Sequence, residues 1–145
     1  MPAIGLLLTL LIVVAGIFSS GEARQVNLQD RAEASAIAGN MLVYRNAVAA
    51  FAEANPAQIG TVPESVLALP TWYVKAPYLS HYMQGGRCYV YYTAFVSGLA
   101  SALAKKIESV AVGVNVNGQL SSPNVATTGI VLPAQVPLSS VVLVQ

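Results

Sequence analysis

The sequence predicts an α+β domain carried behind an apolar N-terminal helix, and three observations lead there. An alanine-rich, proline-free stretch from Val26 to Ala54 carries one apolar stripe at helical spacing. Two strand pairs close on turns of the hairpin type, at Gly85-Gly86 and Asn117-Gly118. A second short amphipathic stretch lies between those pairs. The expected architecture is a long amphipathic helix packed on an antiparallel sheet of hairpins, with a second helix connecting them. Residues 1–20 are set apart as a membrane anchor, or a signal peptide, and residues 21–145 as a single domain outside the cytoplasm.

Composition bounds the rest. Of 145 residues, 55% are hydrophobic and 9% charged, where an ordinary globular domain carries about 25% charged residues. Part of that skew sits between Ala3 and Phe18, which holds no charge and, in Thr9, a single polar side chain. What remains, roughly 120 residues, suffices for one domain with a core but not for two. The net charge of +1 comes from scattered residues, and Lys105-Lys106 is the one adjacent basic pair. Nucleic-acid binding therefore has no electrostatic footprint. Cys88 is the sole cysteine, which excludes an intrachain disulfide and a Cys-x-x-Cys metal site.

The apolar segment is weighed against the membrane it would enter. Sixteen helical residues reach roughly 24 Å, short of a hydrocarbon core of about 30 Å. Ser19 and Ser20, whose hydroxyls can bond back to a helix, bring the segment close to the lower limit of about 17 residues. A signal peptide is the rival reading, with Gly21-Glu22-Ala23 as its cleavage site. The basic region that precedes a signal's apolar core is missing, which favours a retained anchor over residues 3–20. Arg24 and Arg31 follow the segment and no Lys or Arg precedes it, so charge alone does not place the domain outside the cytoplasm.

From Val26 the first helix runs to Ala54 and stops at Asn55-Pro56. Ile37, Met41, Tyr44, Val48 and Phe51 recur at spacings of four and three, with Ala34 upstream, and face a sheet or a partner. Gln29, Asp30, Glu33, Asn40 and Glu53 are expected on the solvated side. The stripe is expected to pack on its own domain, with an intermolecular coiled coil of two copies as the alternative. Thr61-Val62-Pro63-Glu64 has the spacing of a capping box and opens a short helix through Leu69, which Pro70 stops. Tyr78–Met83 and Cys88–Phe95 form a hairpin about Gly85-Gly86, and Ser97 caps a second helix to Glu108. Val110, Val112, Val114 and Val116 alternate into the second hairpin. The tail from Ser121 is interrupted by Pro123, Pro133 and Pro137 and is expected as extended loops. Val141–Val144 is expected as an edge strand, or one donated to a neighbouring subunit.

Chemistry is sparse, and no catalytic residue, cofactor or metal site is expected. His81 is the single histidine, and in a predicted strand beside Tyr82 and Met83 it reads as a hydrogen-bonded structural side chain rather than a catalytic base. Counting outward from the turn places it opposite residue 90 rather than Cys88, which argues against a thiol–imidazole dyad. Cys88 reads as a small buried side chain. The six carboxylates are dispersed, and Gly85-Gly86 lacks the Lys-Ser/Thr ending of a nucleotide loop. Trp72, Tyr73, Tyr78, Tyr82, Tyr89, Tyr91 and Tyr92 offer packing area together with hydrogen-bonding groups, as interfaces favour. The residues singled out as an interaction surface are Ile37, Met41, Tyr44, Val48, Phe51, Trp72 and Tyr73.

Taken together, the start MPAIGLLLTLLIVVAGIFSS, the helix RAEASAIAGNMLVYRNAVAAFAEANP, the hairpin YLSHYMQGGRCYVYY and the overall length resemble PilM proteins of the type IVB thin-pilus systems of conjugative plasmids. The resemblance covers essentially the whole chain and rests on overall character rather than on one motif. It implies a non-enzymatic pilus biogenesis component at the bacterial inner membrane, its domain facing the periplasm and its partners other pilus assembly proteins. It does not extend to the longer, nucleotide-binding, actin-like protein that shares the name. The alternative is a minor pilin or pseudopilin incorporated in the pilus. Gly5 lacks the basic leader of a prepilin, and Glu22, fifth from Phe18, lies beyond the apolar run.

Overall fold

The computed structural model describes residues 2–107, 111–125 and 127–145, with side chains from Arg24 onward. The first helix, α1, spans Pro2–Ala54. It thus begins well before Val26, because the linking residues Gly21 to Gln25 contain no proline and mostly good helix formers. Asn55 ends it as expected, its side-chain amide donating to the Phe51 carbonyl at 3.0 Å ahead of Pro56. The anchor expected at residues 3–20 rests on side chains outside the described set. Among the described residues, no helix is long and apolar enough to cross a membrane.

Among the described residues five antiparallel strands follow: β1 (Leu79–Gln84), β2 (Arg87–Tyr92), β3 (Val112–Val116), β4 (Gln119–Ser121) and β5 (Val141–Val144). Their order across the sheet is β1-β2-β5-β3-β4. Both hairpins form where expected, with Gly85 and Gly86 at φ 61° and 75° and Asn117 and Gly118 at 52° and 81°, the left-handed pair that a type I′ turn requires. His81 lies opposite Val90. The edge position expected for Val141–Val144 is corrected: β5 is the central strand, joining the hairpins through β2 and β3. Val142 and Leu143 point to opposite faces and both are fully buried, as an interior strand apolar on both sides demands.

Helices cover one face of the sheet. Met41, Tyr44 and Val48 of α1 pack with Leu99 and Leu103 of the second helix, α2 (Leu99–Ile107), against Met83, Cys88, Val90, Val112 and Leu143. The helix expected directly after a Ser97 cap begins at Leu99 instead, after Gly98 at φ 74°, and Glu108 and Val110 lie outside the described residues. On the other face Leu132 and Val136, from the tail, cover Tyr89, Leu120 and Val142.

The helix expected from Thr61 to Leu69 reduces to one 3-10 turn, Glu64–Val66, with no side-chain cap bond. Val62 precedes a proline, which disfavours helical backbone there, and its N–H goes to His81 instead. Gly113 has a different constraint. A Cβ built on it would lie 2.1 Å from the Ser121 carbonyl oxygen, so β3 and β4 approach as they do because no side chain stands between them.

Candidate interaction surface

Between α1 and β1 the chain from Asn55 to Tyr78 has almost no regular structure, yet it is tied down along its length. Gly60 bridges Met83 of β1 through two backbone hydrogen bonds of 2.9 Å. The Val62 N–H donates to His81 Nε2 at 3.1 Å. That nitrogen therefore carries no proton, and in the neutral ring the proton sits on Nδ1, which meets the Tyr44 hydroxyl at 2.7 Å. One imidazole thus joins α1, β1 and the irregular segment. Burial, then the nearby Lys75, lowers the His81 pKa to about 4. The Tyr44 phenol is pushed up to about 12 by burial, then by Glu64 and Tyr91.

Asn40 makes the second tie. Its side-chain oxygen accepts from the Tyr73 hydroxyl at 2.6 Å and the Ala76 N–H at 3.1 Å, while its amide donates to the Val74 carbonyl at 2.7 Å. Asn40 is accordingly not on the solvated face expected for it. Tyr73 also stacks on Tyr44, with ring centroids 6.4 Å apart, and burial raises its pKa, assisted by Tyr44 and Glu64. Lys75 lies 3.0 Å from Glu64 and 5.8 Å from the Tyr44 ring centre. Tyr78 closes the segment at φ 65° with its ring edge-on to Tyr92, a left-handed backbone that a bulky residue seldom adopts.

Held this way, the segment turns large apolar side chains outward. Trp72 is 71% exposed and Val74 79%, with Ile59, Val66 and Tyr78 exposed alongside. Of the residues singled out as an interaction surface, Met41, Tyr44 and Val48 lie wholly inside the chain's own core and are corrected to packing residues. Ile37 and Phe51 pack at its margin. Tyr73 faces inward on Asn40, and Trp72, its neighbour in sequence, faces out. Of the two residues that fix this surface, His81 is the hydrogen-bonded structural histidine that the sequence predicts, and Asn40 is the one the sequence reading missed. Asn40 carried a signal: it is three residues after Ile37 and four before Tyr44, a polar residue at the stripe's own spacing.

Other groups offer little chemistry. Cys88 is buried opposite Met83, not His81, and burial pushes its thiol up to about 11, which keeps it protonated and weakly nucleophilic. Among the described residues, no three His, Cys, Asp or Glu converge as metal ligands would.

Comparison with known proteins gives a consistent result. The profile of the PilM family matches residues 9–144. A crystal structure named as a PilM protein from Pseudomonas aeruginosa 2192 is 36% identical, covering 78% of this chain and 95% of its own, with a TM-score of 0.52. Another, named as PilM from Escherichia coli B7A, is 24% identical over 79% of this chain and 92% of its own, with a TM-score of 0.59, and shares the fold. No curated protein matches the chain. None of these findings supports the pilin-like alternative.

Proposed function

Since the chain belongs to the PilM family, we propose that it is a non-enzymatic component of type IVB pilus biogenesis that docks other assembly proteins. In this reading residues 3–20 hold it in the bacterial inner membrane and the α+β domain faces the periplasm, where a conjugative thin pilus is assembled. The carrying observation is Trp72, largely exposed on a loop that Asn40 pins. An exposed tryptophan costs a monomer solubility, whereas at an interface it is among the side chains that contribute most to binding. Fixing the loop beforehand lowers the ordering entropy that docking must overcome. The non-enzymatic part is supported by His81, whose ring nitrogens both engage the fold.

Trp72→Ala in the full chain, returned to a host lacking the gene, tests this. Loss of pili with an unchanged melting temperature is expected, and normal piliation would sink the reading. Cys88→Ser and His81→Gln should disturb piliation no more than they disturb folding. Loss of pili by either variant at full stability would argue for chemistry instead.

A further inference from the structure

A basic groove runs between α1 and α2, and none of the residues lining it belongs to the Trp72 loop. Its cavity, about 530 Å³, is lined by Arg31 and Ser35 of α1 and by Ser101, Lys105 and Lys106 of α2, over the small side chain of Ala102. A second cavity of about 500 Å³ shares Ser101 and Lys105 and continues toward Pro123 and Asn124 of the tail. Among the described residues no carboxylate lines either cavity, and the ion pair the fold does make, Lys75 with Glu64, lies elsewhere. Three of the chain's seven basic residues thus converge on one trough.

We propose that this groove docks an extended acidic segment of a partner protein, carrying two or more carboxylates spaced along it. Charge complementarity names the chemistry, and the length of the groove selects the form. A lone phosphate would occupy one cavity, whereas an extended peptide spans both past the shared Lys105. A phospholipid headgroup fits less well if residues 3–20 are anchored as proposed above. Arg31 lies eleven residues beyond Ser20, or roughly 16 Å along the helix axis, while a headgroup layer is only about 5–8 Å thick. A second copy of this chain fits poorly too, since its six carboxylates are dispersed. The serines add hydroxyl donors between the cations, and the small floor leaves the peptide backbone room to descend.

The test uses the full chain in neutral detergent and a fluorescein-labelled peptide of alternating Asp and Glu, six residues long, read by anisotropy. Saturable binding that weakens at least tenfold in the triple variant Arg31→Gln, Lys105→Gln, Lys106→Gln, and again as salt rises from 0.05 to 0.5 M, is expected. Ser101→Trp fills the groove without altering charge and should weaken binding equally, with both variants keeping the parental melting temperature. Absent binding, or binding indifferent to these variants, overturns the proposal. So does displacement by inorganic phosphate at matched charge, or stronger capture by phosphatidylglycerol vesicles. Trp72→Ala should leave peptide binding intact, so this result stands or falls separately from the pilus assay.

Discussion

The two faces of the sheet are covered by unlike material. On one, α1 and α2 lay Met41, Tyr44, Val48, Leu99 and Leu103 into the core from regular helices. On the other, residues 122–140 run as loops broken by three prolines, and among the described residues only Leu132 and Val136 of their apolar side chains are buried. A helix satisfies its own interior backbone, so its docking is a matter of side-chain packing. A loop laid on a sheet must find a partner for each buried backbone group. Asn115, at 2% exposure, supplies several: its amide donates to the Val136 and Pro137 carbonyls at 2.9 and 3.1 Å, and its side-chain oxygen accepts from the Gly118 N–H at 2.9 Å. Charge divides the same way, for residues 109–145 contain no Asp, Glu, Lys, Arg or His. One face is held by helix packing, the other by a smaller apolar cluster and by hydrogen bonds along the tail, three of them to the Asn115 side chain.

The sharpest way to break the second face is Gly113→Ala. The added methyl would meet the backbone of Ser121, which cannot rotate away as a side chain would. For it to fit, β4 must part from β3 and carry Leu120 and the tail with it. A loss above about 4 kcal/mol is expected, at the upper end for point changes, seen as failure of the full chain to unfold cooperatively. A melting temperature within a few degrees of the parent would show that the approach of β3 and β4 is not as close as described. On the first face the matching change is Met41→Ala, which empties a fully buried site and should cost about 2–5 kcal/mol. Ile37→Ala, at the margin of the same stripe, should cost clearly less, and equal losses would contradict the burial order.

Acid sharpens the comparison next, because only the helix face carries the buried imidazole. The His81 pKa is about 4 in the fold and about 6.5 in an unfolded chain. Above pH 6.5 the ring is neutral in both states and its contribution is whole. As pH falls from 6.5 toward 4 the unfolded chain takes up a proton that the fold refuses, and stability declines with pH until the folded ring also protonates. The depression corresponds to a loss of about 3 kcal/mol. Denaturant melts at pH 7 and pH 4.5 should show most of that difference, and His81→Gln should flatten it. An equal slope in the variant would place the acid sensitivity on other groups.

What was legible follows from this contrast. Periodicity gave the stripe from Ile37 to Phe51, both hairpins, and the pairing of His81 with Val90, because side-chain spacing and turn glycines are local. The place of β5 was not legible, since strand order depends on pairings between residues far apart in sequence, here Tyr91 with Val142 and Val112 with Leu143. Its run of four apolar residues nevertheless pointed to an interior strand rather than an edge. The capping box failed because Pro63 holds Val62 extended and hands its N–H to His81. Trp72 and Tyr73 looked alike in sequence; Asn40, thirty-three residues away from Tyr73, decides which of them turns inward.

The smallest effects come from the two asparagines, and they separate a hub inside a face from a hub at its rim. Asn115→Ala takes their side-chain partner from the Val136 carbonyl and the Gly118 N–H beneath the tail, while the Pro137 carbonyl keeps the Ser140 hydroxyl, and should cost about 1–3 kcal/mol of global stability. Asn40→Ala removes three hydrogen bonds as well, but they lie at the solvent boundary, where water can replace them. Its global cost should be about 1 kcal/mol or less, below that of Asn115→Ala. The difference should appear instead in local opening. Amide exchange at Ala76, whose N–H loses its acceptor, should quicken in Asn40→Ala while exchange in β2 and β5 stays near the parental rate. In Asn115→Ala the amides of Gly118, Ser139 and Ser140 should quicken together with the strands beside them. If Asn40→Ala instead accelerates exchange through β2 and β5, the segment that displays Trp72 is part of the cooperative core, and the division between a packed face and a pinned loop would have to be given up.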